Sequence, residues 1–172
     1  MSAPSLAPGR ALGTAHGSLS LPAFLPDATR AVVRGLDSAD LLATGVQGLV
    51  VNVFHLQSHP GVTVVAGAGG VHGFMGWPRP VLSDSGGFQV FSLLAQSPGL
   101  GSVTKRGFTY RAAQGAGKTV LTPEKCIQQQ FRLVSDVMVC LDTVPTLRLL
   151  SVNWRLTAMR CITSKPVRAS RW

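Results

Sequence analysis

Val81-Leu82-Ser83-Asp84-Ser85-Gly86-Gly87-Phe88-Gln89-Val90-Phe91 is the stretch whose reading decides the fold. Val81 and Leu82 have the character of a buried strand. They lead into a carboxylate, a hydroxyl, two glycines, an aromatic and an amide. Gly86 and Gly87 can take up positive φ and let a ligand come close to the backbone. Asp84 then stands at the carboxyl edge of a strand, where parallel α/β folds gather their chemistry. The competing interpretation is an ordinary loop in which Asp84 caps a helix.

Working outward, Gly48-Leu49-Val50-Val51-Asn52-Val53-Phe54 is a nearly continuous apolar run, suited to a parallel sheet covered on both faces. Asp136-Val137-Met138-Val139-Cys140-Leu141 is a second such run, with Asp142 at its end. A strand is also expected over Pro80–Ser83 and a short one, punctuated by Pro22, over Leu19–Leu25. Asp37 or Ser38 caps a short helix that Gly45 ends. Residues 62–66 and 71–77 read as a weak helical linker broken by glycines. Residues 107–111 and 119–121 alternate like a hairpin. Thr122-Pro123-Glu124 opens another helix, with Ile127 and Phe131 on its apolar face. Three strands thus end in Asn52, Asp84 and Asp142, and in a parallel sheet or barrel those ends converge. Two carboxylates there can hold a polar ring or act as acid and base; the bland reading makes both of them caps.

Composition narrows the class. With 45% hydrophobic residues in 172, the chain can build a substantial core. Charged residues make up only 13%, and 16 Lys and Arg against 7 Asp and Glu give a formal charge of +9. A phosphate-bearing partner suits that excess. Six of the basic residues lie beyond Asp142, where there is no acid. Cys126, Cys140 and Cys161 form no C-x-x-C pair and match no compact zinc pattern, so neither a disulfide scaffold nor a metal site is expected. A reducing cytoplasm fits, with no signal peptide and no membrane-spanning run.

The chain resembles the tRNA-guanine transglycosylase family, also called queuine tRNA-ribosyltransferases. The stretches that carry the resemblance are Pro22–Pro26, Asn52–Leu56, His72–Trp77, Ser83–Leu93, Leu121–Glu124 and Ser135-Asp136, in family order and spacing. The resemblance implies an incomplete (β/α)8 TIM barrel, about the first half, with an N-terminal strand region and a β-hairpin insertion. It implies exchange of guanine in tRNA for a 7-deazaguanine (preQ1, preQ0 or queuine). Asp84 matches the acid/base carboxylate. Phe88 matches the aromatic that stacks on the base, while Ser85, Gly86 and Gly87 line the pocket. Asp142 matches the carboxylate that takes the Watson–Crick edge, and Asn52 a residue on the ribose side. The chemistry is consistent: one carboxylate can accept both N1–H and the exocyclic amine of a guanine edge, and an aromatic platform contributes roughly 1–3 kcal/mol of stacking.

The family's nucleophilic carboxylate and its zinc ligands come from positions with no counterpart before Trp172. Base exchange with retention needs that nucleophile. The resemblance fades after Asp142, where Thr143-Val144-Pro145 follows. The expected organisation is a flexible lead-in (1–18), a partial barrel domain (19–142) and a basic out-of-family tail (143–172), as in a truncated, frameshifted or spliced product. The expected partners are tRNA and a guanine or 7-deazaguanine base, with homo- or heterodimers in the full-length family and no membrane. The expected function is transglycosylation, with the chain inactive alone. The alternatives are a noncatalytic tRNA-binding or partner subunit, and a related enzyme acting on DNA.

Overall fold

The computed structural model describes residues 9–104, 106–111, 115 and 117–142. The chain opens with an antiparallel hairpin of β1 (Ala11–Thr14) and β2 (Gly17–Ser20). Gly17, at φ +116, makes the turn, and the Thr14 hydroxyl donates to the Gly17 carbonyl at 2.9 Å. The strand expected over Leu19–Leu25 is therefore displaced toward the N-terminus, into residues read as lead-in. Pro22 and Pro26 lack the N–H that a ladder through 19–25 needs.

Helix α1 (Ser38–Ala43) starts at the expected cap. Asp37 accepts from the Asp40 N–H at 2.8 Å, and Asp40 accepts in return from the Asp37 N–H at 3.2 Å. β3 (Leu49–Asn52) turns directly into α2 (Val53–Ser58). The expected strand through Phe54 stops early because the Asn52 side chain caps α2, accepting from the His55 N–H at 3.4 Å. The glycine-broken linker holds α3 (Val62–Gly67) and α4 (Gly70–Met75).

β4 (Val81–Asp84) leads into α5 (Gly87–Gln96), a helix missing from the sequence reading. Its cap position is Gly86 at φ +76, with no side chain to signal a helix start. Then come β5 (Gly101–Thr104), β6 (Gly107–Tyr110) and β7 (Thr119–Leu121), an antiparallel sheet that adds one strand to the expected hairpin. α6 (Pro123–Leu133) begins as read, with the Thr122 hydroxyl accepting from the Lys125 N–H at 3.3 Å. Its buried face differs from the expectation. Cys126, Gln130 and Leu133 point inward, while Phe131 is 55% exposed. β8 (Val137–Met138) is shorter than the apolar run that holds it.

The strands β3, β4 and β8 form a parallel sheet in that order. Helices provide the crossovers, as parallel connections require. The chain is therefore α/β; three parallel strands, and not a closed barrel, are present among the described residues. The register pairs Asn52 with Asp84 at the carboxyl ends of β3 and β4. One core cluster gathers Leu49, Val51, Leu56, Val81, Trp77 and Leu133 around the sheet. A second joins α5 and α6 to the antiparallel sheet through Val90, Phe108, Leu121 and Cys126. No helix of the described residues is long and apolar enough to cross a membrane.

Leu133 is fully buried where α6 meets the first cluster. Leu133→Ala is expected to destabilise the chain by about 2–5 kcal/mol, read as a lower denaturation midpoint. A shift below about 1 kcal/mol would mean that α6 does not close this core.

Candidate active site

Parallel pairing brings Asn52 and Asp84 side by side, and Asn52 Nδ2 donates to Asp84 Oδ2 at 2.5 Å. The same oxygen accepts from the Gly86 N–H at 3.4 Å. One residue on, the Ser85 hydroxyl donates to Asp142 Oδ1 at 3.3 Å and accepts from the Gly87 N–H at 3.2 Å. The two glycines are required by close approach. A Cβ on Gly86 would lie 2.5 Å from the Phe54 Cβ, and one on Gly87 would lie 2.5 Å from the Asp142 carbonyl oxygen. Asn52, Asp84, Ser85, Gly86, Gly87 and Asp142 thus share one end of the sheet. Phe88, in the first turn of α5, leaves its ring 58% exposed.

Burial is the largest influence on the Asp84 carboxyl and pushes it above its ordinary value. The Gly86 N–H pulls it down, Asp142 pushes it up, the Ser85 N–H pulls it down, and Asp27 pushes it up. Asp27 reaches this end through its bridge to Val50, and was not singled out in the sequence. The result is a carboxylate that releases its proton reluctantly beside a second, exposed one.

Beneath the site lies a buried polar knot that sequence reasoning missed. Gln130 Oε1 accepts from the Ser83 hydroxyl at 2.6 Å, and Gln130 Nε2 donates to the Val139 carbonyl at 3.0 Å. Ser83 and Ser135 hydroxyls meet at 2.7 Å. Cys126 Sγ lies 3.5 Å from the Ser85 carbonyl and receives Gln130 Nε2 at 3.2 Å. Burial raises the Cys126 thiol to about 12, so it stays protonated and donates. A glutamine within a helix carries no sequence mark of this role.

A second cluster sits at the opposite, amino end of β4. His16, His72 and Asp136 bring their ligand atoms within 4.8 Å of one another. The set does not fit a metal. The two imidazoles stack with centroids 3.5 Å apart and planes 19° apart. An ion about 2 Å from both ring nitrogens must lie in both ring planes, and near-parallel planes do not meet there. His16 Nδ1 is already hydrogen-bonded to Asp136 Oδ1 at 2.8 Å. Cys126 belongs to no group of three potential ligand atoms among the described residues. Cys161 lies outside the described residues.

The sequence pattern described as queuine tRNA-ribosyltransferase matches residues 9–154. This chain belongs to that family. It is 44% identical to a queuine tRNA-ribosyltransferase of Desulfosudis oleivorans over 129 residues, which is 75% of this chain and 33% of the relative. It is 43% identical to one of Gloeobacter violaceus and 42% identical to one of Prochlorococcus marinus strain MIT 9303, each over 132 residues, 77% of this chain and 34% of the relative. The chain spans about a third of the length of these curated relatives. The family match begins ahead of the hairpin and includes every residue of the site.

Two substitutions test the geometry. Gly87→Ala is expected to cost about 1–3 kcal/mol by overpacking against the Asp142 backbone, and to move the Asp142 amide resonance. An unmoved Asp142 would refute the contact. Gln130→Leu leaves the Val139 carbonyl without its buried donor and is expected to cost about 1–3 kcal/mol in a denaturant melt.

A pH test follows from Asp84. A carboxyl raised by folding binds its proton more tightly in the folded state, so stability falls as pH rises from the ordinary carboxylate value of about 4 to the folded value. Above that window the penalty is fully present. Asp84→Asn is therefore expected to be more stable than the parent at pH 7, by less than about 1 kcal/mol because solvent screens the half-open site. The gain should vanish in acid. A variant less stable at pH 7 would show that Asp84 is held as a favoured anion.

Proposed function

We propose that this chain carries the base-binding part of a tRNA-guanine transglycosylase site, within about the first half of a (β/α)8 barrel. The observation that carries the reading is the convergence of two carboxylates, Asp84 at the carboxyl end of β4 and Asp142 on the segment that follows the neighbouring parallel strand β8, linked through Ser85. Asp84 is reluctant to ionise and is held by Asn52. Asp142 is exposed and oriented by Ser85. The first suits proton transfer to and from a departing base. The second suits the paired donors of a guanine-type edge. Phe88 supplies a stacking face, and the Gly86-Gly87 backbone lets a flat ring lie close. A base worked on within RNA must leave its stack, and an open strand-end site can receive it.

In this reading the exchanged bases are guanine and a 7-deazaguanine, the macromolecular substrate is tRNA, and the compartment is the cytoplasm. Residues 19–142 are the catalytic-domain portion and residues 143–172 a basic extension. The resemblance assigns no residue of this chain as the nucleophile or as a zinc ligand, so in this reading the chain alone is catalytically silent. A noncatalytic tRNA-binding or partner subunit is the second reading. The paired carboxylates weigh against it.

The test is equilibrium binding of guanine and of unmodified tRNA to the chain. Asp142→Ala is expected to weaken guanine about tenfold or more, the value of a charge-assisted hydrogen-bond pair, and to leave tRNA within about twofold. Equal losses for both ligands would sink the assignment. Labelled guanine incubated with tRNA and chain is expected to give no incorporation above an Asp84→Ala control.

A further inference from the structure

The cluster of His16, His72 and Asp136 lies at the end of β4 away from the candidate active site. It ties together three parts of the chain. His16 is in the turn of the β1–β2 hairpin, His72 is in α4, and Asp136 precedes β8. The Asp136 carboxylate has four neighbours for its four lone-pair positions. Oδ1 accepts from the His16 N–H at 3.3 Å and faces His16 Nδ1 at 2.8 Å. Oδ2 accepts from the Val81 N–H at 2.9 Å and lies 3.1 Å from His72 Nε2.

Hydrogen-bond logic assigns the protons. His72 Nδ1 lies 3.0 Å from the Trp77 carbonyl oxygen. A carbonyl oxygen only accepts, so Nδ1 carries a hydrogen. In a neutral ring, Nε2 is then a bare lone pair facing a carboxylate oxygen. That nitrogen is buried and lies off the line of a well-formed hydrogen bond, although its distance is that of an ion pair. A second proton on His72 turns the contact from lone-pair repulsion into charge attraction. A second proton on His16 has the opposite effect. It stacks two cations at 3.5 Å over one carboxylate.

We propose that His16, His72 and Asp136 form a one-proton clasp that fastens the N-terminal hairpin to the amino end of the parallel sheet. The clasp is tightest when the two imidazoles share a single extra proton, held on His72. It then contains one anion, one cation and one neutral ring. Deprotonation of His72 loosens it from the alkaline side, and protonation of His16 from the acid side.

The neighbouring charges leave this count undisturbed. Arg79, ahead of β4, gives its guanidinium to the Val46 carbonyl. Arg132, at the end of α6, donates to the Thr63 hydroxyl at 3.0 Å. From the hairpin turn and from α4, only His16 and His72 face the carboxylate among the described residues. Burial by itself would push Asp136 up, but the close approach of His72, the contact with His16 and the Val81 N–H outweigh it and hold the carboxyl well below the usual range. Asp136 therefore stays ionised while the histidines titrate. Among the described residues the hairpin is also tied by Leu19, which packs where a Cβ on Gly48 would meet it, and by the Ser20 N–H, which donates to Gln47 Oε1 at 2.9 Å.

The test is amide hydrogen exchange across β2 in the full chain, corrected for the intrinsic pH dependence of exchange. Protection of Leu19 is expected to pass through a maximum between acid and alkaline pH and to fall about tenfold on either side of it. His16→Phe keeps a stacked ring and is expected to abolish only the acid-side fall. His72→Gln is expected to abolish both falls, because it removes the titrating contact and the cation that a protonated His16 would face. A merely structural cluster would instead lower protection equally at every pH in both variants, and that result overturns the proposal. Imidazole nitrogen shifts of the unmodified chain give a check that needs no variant. Both His72 nitrogens protonated at the peak support the clasp; a bare Nε2 there refutes it. Stoichiometric zinc that raises protection and releases protons would replace the clasp with a metal site.

Discussion

Gln130 reaches β4 and the residue just past β8 with two different atoms, and so links the segments that carry the site carboxylates. Its carbonyl end takes the Ser83 hydroxyl, one residue before Asp84. Its amide end holds the Val139 carbonyl, three residues before Asp142. The first bond is buried and the second partly so, and losing either leaves a shielded polar group short of a partner. An apolar side chain of similar size would fill the space without fixing a distance. The polar knot therefore sets how far β4 and β8 slide past one another, as packing alone does not.

The short strand β4 connects two chemically distinct ends. Val81 meets Asp136 at its start, and Asp84 meets Asn52 at its finish. Four residues of strand span only about 13 Å. Parallel neighbours hold both ends, so a shift in register would disturb the floor and the mouth together. A one-residue slip would also turn Ser83 away from Gln130 and expose it.

Much of this was legible beforehand, for physical reasons that differ by element. The buried runs ending in Asn52, Asp84 and Asp142 announced a parallel sheet because covered strands need apolar residues on both faces. The caps of α1 and α6 were legible because Asp37 and Thr122 satisfy backbone N–H groups in the way their side chains predict. α5 was hidden because its start is Gly86, which caps through backbone conformation and leaves no side-chain signal. The inward face of α6 was misread because Gln130 and Cys126 occupy it. Periodicity registers apolar residues, and a polar pair that satisfies itself in the core looks like surface. The roles of His16, His72 and Asp136 depend on three segments distant in sequence, beyond the reach of local patterns.

Asn52 has two obligations whose order matters. Its side-chain oxygen must face the His55 N–H, because that amide needs an acceptor at the start of α2. The helix thereby dictates which end of the side-chain amide remains for Asp84, and it is always the donor. Asp84 cannot find an acceptor there by a rotation of Asn52 without uncapping α2. Ionisation of Asp84 thus meets a partner already turned toward it, with no reorientation needed at the moment the proton leaves. The short helix behind β3 thereby supplies directionality to the Asp84 carboxylate through Asn52.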